Sequence, residues 1–417
     1  MSEKLQAPRG TYDVLPEAAG ARAALETTAR RVLEGAGYRR IETPTFETTD
    51  VFARGVGAST DIVQKEMYTF DDGGGRSVTL RPEGTAPICR AYVEHGMHKL
   101  PQPVKLWYLS SFFRQEKPQA GRYRQFWQVG AEALGSDDPA VDAEAILLLA
   151  TLLEELEIGC LRLRLSSLGT PAARAAYRDD LAAHLRANAD RLSADVRARI
   201  DLNPLRAFDS DHAGTREVMA SAPLLLDRLD AGDAEHFAAV RALLDGSGLA
   251  YEIDPTLVRG LDYYTRTVFE FTSDALGAQS GVAGGGRYDG LVEMLGGPPA
   301  PGCGWAAGVE RMLLAAGELP VAPPPVDLFV AFEGPGPRVA AFGLTAEART
   351  ARLNAQMELA GRSRKGQLKQ ADRLGARYVA IVDGDGRAVL RDMHGGEQQE
   401  VAAAEVVARI LRERGRR

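Results

Sequence analysis

The feature that most constrains the fold is a pair of strand-like runs, residues 106–113 and 125–132, separated by a charged loop. Pro118 and Gly121 in the loop are typical turn residues, so the two runs predict an antiparallel β-hairpin. The loop contains more charge than a turn needs, in the side chains of Arg114, Glu116, Lys117, Arg122 and Arg124. An arginine that leaves a rigid strand beside such a loop suits an anionic ligand such as a phosphate.

Two polar residues on one face of the second run favour an anion-binding hairpin over a plainer interpretation. The plainer interpretation is a solvated hairpin whose loop charges form ordinary surface ion pairs. Gln128 and Glu132 are four residues apart and therefore point to the same side of a strand. Because a strand normally buries apolar side chains on one face, polar groups at these positions indicate a binding surface.

The rest of the pattern mixes strands and helices and divides at a proline-rich segment. Residues 171–250 are rich in Ala, Arg, Leu and Asp with helical spacing, which predicts a helical insertion. Residues 317–327, GELPVAPPPVD, predict a stiff linker. The roughly 90 residues after it are typical of a small α/β module. We therefore expect an α+β domain over residues 1–320 and a second domain over residues 326–417.

A second polar cluster lies where an expected strand runs into a helix that begins near Ala86. Glu83 and Thr85 can present a carboxylate and a hydroxyl to a small polar ligand, and Gly84 between them permits close backbone approach. Thr85 is also a good N-cap, so capping of the helix is an alternative explanation of similar weight.

Two further stretches stand beside expected strands. The first stretch contains Arg259, Gly260, Asp262, Tyr263 and Tyr264 within six residues. Placing so many polar groups next to an apolar core costs free energy. For Arg259, the plain alternatives are an ion pair with Asp262 or a surface charge. The second, GVAGGGRYDGL at residues 281–291, contains a glycine run that permits close backbone approach and resembles phosphate-cradling loops only loosely. It matches neither the P-loop nor the dinucleotide-binding GxGxxG pattern.

Composition and charge limit the classes of protein further. The net charge of −7 alone argues against a nucleic-acid binder, but from Val326 onward the balance is +4 (16 basic and 12 acidic residues), which permits local contact with a polyanion. The first ten residues lack the apolar region of a signal peptide, and no run of about 18 apolar residues exists. Cys89, Cys160 and Cys303 are widely spaced, which fits thiols in a reducing compartment. We expect a cytoplasmic protein without a membrane span.

Taken together, the stretches TLRPEGTA, FRQEKPQAGRYRQFWQVGAE, LVRGLDYYTRTVFEF and GWAAGVERM resemble the bacterial histidyl-tRNA synthetase family, which belongs to class II. GYRRIETPTFE at residues 37–47 resembles the dimer-forming first motif of this class, the hairpin its second motif and GWAAGVERM its third. GRSRKGQLKQADRLGARYVAIV is similar to the family's anticodon-binding domain. The resemblance implies an antiparallel-sheet catalytic domain with a helical insertion and a C-terminal α/β anticodon-binding domain.

The resemblance also implies roles for individual residues. Histidine would be bound by Glu83, Gly84, Thr85, Gln128, Glu132, Arg259, Tyr263, Tyr264 and Tyr288. Glu83 would face the amino group, and Glu132 with Tyr264 would face the imidazole. ATP would be bound by Arg114, Glu116, Arg122 and Arg311, and Arg114 with Arg259 would be the catalytic residues at the α-phosphate. Trp127 departs from the family pattern, which leads us to expect histidine or a smaller aromatic residue there.

The implied substrates are ATP with Mg²⁺, L-histidine and tRNA(His), and the implied assembly is a homodimer with residues 37–47 near its interface. No protein nucleophile is needed for adenylate formation, and no residue of the protein is assigned to a metal. Two alternatives stay open: a catalytically inactive regulatory subunit of ATP phosphoribosyltransferase, and a class II synthetase for another amino acid. The first is expected to lack the tail domain, Arg259 and its tyrosines, and the second to lack RGLDYY with Glu132.

Overall fold

The computed structural model describes residues 4–57, 60–257, 259–277, 280–317, 325–383 and 385–414. The chain divides into two compact units, Met1–Leu319 and Pro320–Arg417. The division falls within the segment from which the sequence predicted a linker, although residues 318–324 of that segment lie outside the described residues.

The first unit mixes helices and strands along its whole length. Its helices are α1 (Pro16–Gly35), α2 (Thr49–Gly55), α3 (Thr85–Glu94), α4 (Pro139–Glu155), α5 (Pro171–Ala187), α6 (Ala194–Arg199), α7 (Ala213–Met219), α8 (Ala231–Ser247), α9 (Leu291–Met294) and α10 (Val309–Ala316). Its strands are β1 (Arg39–Arg40), β2 (Phe46–Thr48), β3 (Tyr68–Asp71), β4 (Ser77–Leu80), β5 (Val104–Phe113), β6 (Gln125–Leu134), β7 (Leu161–Ser167), β8 (Glu252–Ile253), β9 (Thr265–Ser273), β10 (Gly281–Arg287) and β11 (Gly302–Gly308).

An eight-stranded, mainly antiparallel sheet in the order β1-β5-β6-β11-β10-β9-β7-β8 frames this unit. β5 and β6 pair from Val104 opposite Leu134 to Phe113 opposite Gln125, which is the predicted hairpin. The short strands β1 and β8 pair in parallel with β5 and β7 at the two edges. The expected α+β class, with a large antiparallel-rich sheet, is confirmed.

The glycine-rich run of residues 281–291 forms a strand over most of its length. Gly281–Arg287 forms β10 and pairs with β9 on one side and β11 on the other. Glycine has a low β propensity, and the strand is held by its two neighbours. A Cβ at Gly285 would lie 2.1 Å from the carbonyl oxygen of Gly304, so the side-chain-free strand permits an unusually close approach.

Three long helices, α1, α4 and α8, cover one face of the sheet. α4 starts at the N-cap residue Asp138, whose side chain accepts from Ala140 N, and Pro139 occupies the first turn. The core on this face contains apolar residues of all three helices, namely Leu25, Leu33, Ile146, Leu149, Phe237, Val240 and Leu244. α8, the last helix of the region 171–250 that the sequence predicts as a helical insertion, therefore packs in the core of the sheet.

The opposite face of the sheet supports a second core that includes the insertion helices α5, α6 and α7. Tyr177, Leu181 and Leu185 of α5 belong to the same buried cluster as Ile88 and Tyr92 of α3. Helices α5, α6 and α7 therefore share one buried core with α3.

A separate three-stranded antiparallel sheet has the order β2-β4-β3. Phe46 on β2 and Phe70 on β3 are both exposed, at 55% and 47% of their maximum. The register pairs Phe46 with Leu80 and Phe70 with Val78, which are two residues apart on β4. Both phenylalanines therefore lie on one face of this sheet.

The second unit contains a five-stranded sheet in the order β13-β12-β14-β15-β16. Its elements are β12 (Leu328–Phe332), α11 (Arg338–Thr350), β13 (Ala355–Met357), α12 (Arg364–Arg373), β14 (Tyr378–Val382), β15 (Arg387–Asp392), β16 (Gln398–Ala402) and α13 (Val406–Arg414). Leu359 lies two residues beyond β13 and is 84% exposed. Within the described residues of both units, no helix combines the length and hydrophobicity needed to cross a membrane.

Candidate active site

Two adjoining cavities lie on the face of the large sheet where β6, β10 and β11 run side by side. The larger has a volume of about 510 Å³ and the smaller about 190 Å³. Both are lined by Arg114, Gln128 and Arg259, so these three residues stand at the junction. A molecule in the small cavity can therefore contact one in the large cavity beside two arginines.

The small cavity contains most of the residues predicted to bind histidine. Glu83, Gly84, Thr85, Gln128, Arg259, Tyr263, Tyr264 and Tyr288 all line it. Glu83 is buried and accepts from the backbone N–H groups of Thr85 (2.8 Å) and Ala86 (3.0 Å). The first turn of α3 is thus capped by Glu83 rather than Thr85, the residue considered as a cap from the sequence. Burial raises the pKa of the Glu83 carboxyl group.

Glu132 lies one layer behind the cavity wall and is the predicted histidine-binding residue that does not line the small cavity. Its Oε1 accepts from Thr85 Oγ1 (2.8 Å) and its Oε2 from Tyr288 OH (2.6 Å). Burial raises the pKa of Glu132 to about 8 against the opposing effect of these hydrogen bonds. A Cβ at Gly304 would lie 1.8 Å from Glu132 Oε2, so glycine on β11 is what leaves room for the carboxylate.

Three buried polar atoms around the small cavity have no hydrogen-bond partner among the described residues. They are Tyr108 OH, Gln128 Oε1 and Arg259 Nε. Buried polar groups are nearly always paired, so three unpaired ones around one cavity indicate that a bound molecule completes them. This concentration is the strongest structural sign of a polar ligand site.

Tyr108 is a lining residue that sequence reasoning missed. In the sequence it looks like an ordinary aromatic residue of a buried strand. Its position at the cavity follows only from the strand register. Tyr108 lies opposite Gly130 on β6. Cβ atoms at Gly130 and Gly84 would lie 2.2 Å and 2.7 Å from its ring. The two glycines leave a slot through which the tyrosine reaches the cavity.

The large cavity is lined by the residues predicted to bind ATP: Arg114, Glu116, Arg122 and Arg311. Arg114 donates from Nε to Pro82 O (2.9 Å), and its guanidinium lies 5.2 Å from the Phe126 ring centre. Arg311 donates from Nε to Gly281 O (2.5 Å) on β10. These hydrogen bonds to backbone carbonyl groups hold both guanidinium groups beside the cavity. Two positive charges held in this way suit the binding of a polyanion.

Arg259 is held between the cavities by β10 and β9. Its Nη1 donates to Glu270 Oε1 (2.9 Å) on β9, an ion pair that the sequence did not indicate. A Cβ at Gly284 on β10 would lie 2.7 Å from the guanidinium, so the glycine strand provides the surface on which Arg259 rests. Arg259 and Arg114 can thus supply positive charge to a group at the junction.

Comparison with known proteins agrees with this geometry. A family model described as histidyl-tRNA synthetase matches residues 10–312. The histidine–tRNA ligase of Halorhodospira halophila is 50% identical over 410 residues, covering 96% of each chain. That of Halothermothrix orenii is 45% identical over 411 residues, covering 97% of this chain and 98% of the relative. The apo S. aureus histidyl-tRNA synthetase structure has a TM-score of 0.81 at 35% identity, covering 98% of this chain and all of that one.

The antiparallel sheet with its arginine-bearing hairpin and the helix after β11 define the catalytic fold of a class II aminoacyl-tRNA synthetase. Full-length similarity narrows the assignment further. The chain belongs to the histidyl-tRNA synthetase family.

Proposed function

We propose that this protein activates L-histidine with ATP and transfers it to the 3′ end of tRNA(His), acting in the cytoplasm. The observation that carries the proposal is the junction of the cavities. A small pocket with unpaired buried polar atoms opens beside Arg114 and Arg259 onto a larger, arginine-lined cavity. An amino acid in the first and ATP in the second would bring a carboxylate to the α-phosphate.

The small cavity suits histidine at both ends of the amino acid. Glu83 offers a carboxylate to the amino group, and Tyr263 OH lies 3.4 Å from Glu83 Oε2. The imidazole has a donor and an acceptor nitrogen. In the proposal, Tyr264 OH donates to one imidazole nitrogen. Tyr288 OH, whose proton is donated to Glu132 Oε2, accepts from the imidazole N–H. The unpaired Gln128 and Tyr108 complete the polar wall.

In the first step, a carboxylate oxygen of histidine attacks the α-phosphorus of ATP and the bond to the bridging oxygen breaks, so that pyrophosphate leaves. Arg114 and Arg259 stabilise the charge that develops on the α-phosphate, and Arg122 and Arg311 hold the remaining phosphates. ATP would bring Mg²⁺ bound to its phosphate oxygens and to water.

The test is ATP–pyrophosphate exchange measured with each of the twenty amino acids. We expect exchange that depends on histidine, and a fall of about 10²–10³ in rate for Arg259→Gln at unchanged fold. Exchange with another amino acid would identify a different synthetase. Absence of exchange would favour the regulatory subunit, a reading that the 45–50% identical relatives do not favour.

We further propose that two copies associate through the three-stranded sheet. Phe46, which lies within residues 37–47, and Phe70 expose two large aromatic side chains on one face. A self-complementary apolar face of this kind suits a two-fold interface. Phe46→Glu together with Phe70→Glu should produce a monomer by analytical ultracentrifugation at micromolar concentration, while Leu314→Glu, at a residue that is 50% exposed on α10, should leave the dimer intact. A wild-type monomer would refute the proposal.

The second unit is proposed to bind the anticodon region of tRNA. It contains a cavity of about 670 Å³ lined by Phe342, Leu359, Arg338 and Arg362. Phe342 is 63% exposed, which suits stacking of an unpaired base beside cationic side chains. Phe342→Ala should raise the KM for tRNA about tenfold, the cost of one stacked base, without changing ATP–pyrophosphate exchange. An unchanged KM for tRNA would place the RNA contact elsewhere.

A further inference from the structure

The loop of the hairpin is the least regular part of the nucleotide site. Between β5 and β6 its backbone forms one isolated bridge, Gln119 with Arg122, and a bond from Arg114 N to Arg124 O (2.9 Å). Glu116 and Arg122, which line the large cavity, are carried by this loop. Since a binding site works only when its groups are held in place, the loop needs support from outside.

A segment near the N-terminus, residues 8–12, lies against this loop and is here called the strap. Gly10 O accepts from Arg124 N (2.7 Å), and Arg9 O accepts from Arg124 Nη1 (3.4 Å). Gly10 has a φ of +87°, and a Cβ there would lie 2.8 Å from the Arg124 side chain and 2.9 Å from Pro118. The fit is therefore close enough that only glycine is accommodated without movement.

The strap ends in a cluster that joins four separate segments. Tyr12 OH donates to Glu310 Oε1 (2.8 Å), and the Tyr12 ring lies 4.5 Å from the Tyr123 ring in the loop. Arg22 of α1 donates to the same Glu310 oxygen (2.6 Å) and to Tyr12 OH. Glu310 on α10 is buried and directly precedes Arg311.

Trp127, the departure from the family pattern, is part of this cluster. Its backbone N–H donates to both oxygens of Glu310, at 3.2 Å and 3.0 Å. The guanidinium of Arg22 lies 5.6 Å from the Trp127 ring centre and 5.7 Å from that of Tyr12, within cation–π range of both. The large indole thus gives Arg22 a flat surface, which a smaller ring would provide less well.

We propose that the strap and this cluster are positioning residues for ATP: Tyr12, Arg22 and Trp127 lock the hairpin loop to α10, so that Glu116, Arg122 and Arg311 face the nucleotide together. The inference rests on the ATP site proposed above. Tyr12, Arg22 and Trp127 do not line the small cavity. Substitutions of these residues should therefore raise the KM for ATP and not the KM for histidine.

The test compares Michaelis constants in ATP–pyrophosphate exchange. Tyr12→Phe removes the hydroxyl bonds and keeps the ring, Tyr12→Ala removes both, and Trp127→Phe shrinks the surface under Arg22. We expect KM for ATP to rise about tenfold in Tyr12→Phe, as for the loss of one hydrogen bond to a charged group, and further in Tyr12→Ala. In Trp127→Phe it should rise a few-fold, through the weaker cation–π contact with Arg22. KM for histidine should stay within about twofold.

Tyr251 provides the matched control, because its hydroxyl has the same two kinds of partner outside the cavities: Asp245 Oδ1 at 2.9 Å and Arg241 Nε at 3.5 Å. Tyr251→Phe should leave both constants unchanged. Tryptic cleavage after Arg122 or Arg124 gives a readout that needs no activity, and it should be faster in Tyr12→Ala than in wild type.

Three results would count against the inference. They are an unchanged KM for ATP in both Tyr12 variants, an equal rise of both constants, and loop cleavage at the wild-type rate. Wild-type protein without histidine-dependent exchange would instead refute the proposed function, whatever the cleavage rates.

Discussion

Glu132 combines full burial with two hydroxyl donors, and its environment links stability to pH. Burial raises the pKa of this carboxyl group from 4.5 to about 8. The unfolded chain therefore releases the proton near pH 4.5 and the folded chain near pH 8. Between these values the folded state binds more protons, so this residue makes the free energy of unfolding decrease as pH rises.

Glu132→Gln should remove this dependence. We expect its urea midpoint to fall less than that of wild type between pH 5 and 8, and to lie above wild type at pH 8. Tryptophan fluorescence measures this, because Trp107, Trp127 and Trp305 all belong to the first unit. Histidine activation should fall in the same variant, since the amide has one acceptor oxygen and cannot accept from both Thr85 Oγ1 and Tyr288 OH. Equal pH slopes for both proteins would contradict the raised pKa.

Tyr108→Phe tests whether the unpaired hydroxyl in the small cavity binds the substrate. Removal of one hydrogen bond to an amino acid should raise KM for histidine about tenfold with KM for ATP nearly unchanged. Tyr92→Phe is the control, since Tyr92 OH already has a protein partner, Gln102 Oε1 at 3.1 Å. Equal constants for Tyr108→Phe and wild type would show that the hydroxyl does not contact histidine.

A site residue can be predicted from the sequence when its residue type departs from the local pattern. Glu83, Gln128 and Arg259 are polar where the pattern expects apolar residues, so they could be selected from the sequence. Tyr108 looks like any core aromatic residue, because the glycines that open its path lie on other segments. The capping of α3 by Glu83 was likewise not predicted, since Thr85 is the commoner kind of cap.

At the level of elements, the long periodic segments were predictable and the glycine strand was not. β5 and β6 carry apolar patterns of their own, and the structure has them close to the bounds expected from residues 106–113 and 125–132. β10 contains three consecutive glycines, Gly284–Gly286, and owes its extended form to its neighbours. Because these glycines have no side chains, Arg259 can approach Gly284 and Trp305 can approach Gly285 closely.

Gly284→Ala tests that function of β10. The added methyl group would meet the Arg259 guanidinium at 2.7 Å, and a flexible side-chain end can move away without unfolding the sheet. We expect the rate of adenylate formation to fall at least tenfold, because a displacement of about 1 Å can cost up to 10² in rate, with an unchanged urea midpoint. Gly35→Ala, where a Cβ meets nothing within 4 Å, is the control. Full activity in Gly284→Ala would show that Arg259 tolerates displacement.

On the scale of the whole molecule, each unit has an apolar core built from its own residues. The second unit buries Leu328, Val330, Leu344, Val406 and Ile410 together, and its second cluster centres on Phe329 and Val379. Both cavities proposed for adenylate formation are lined by residues of the first unit. Chemistry and anticodon binding should therefore be separable.

A chain that ends at Gly317 should keep histidine-dependent ATP–pyrophosphate exchange within a few-fold of the full chain, because no residue of its two cavities is removed. Aminoacylation should fall steeply, through a higher KM for tRNA. The affinity that the second unit contributes should weaken with salt, since contacts with phosphates release counterions. Fluorescence-monitored urea unfolding provides the control, because all three tryptophans remain in the shortened chain. Loss of exchange in a shortened chain that unfolds like the full one would mean that the tail takes part in adenylate formation, and unchanged aminoacylation would exclude its binding role.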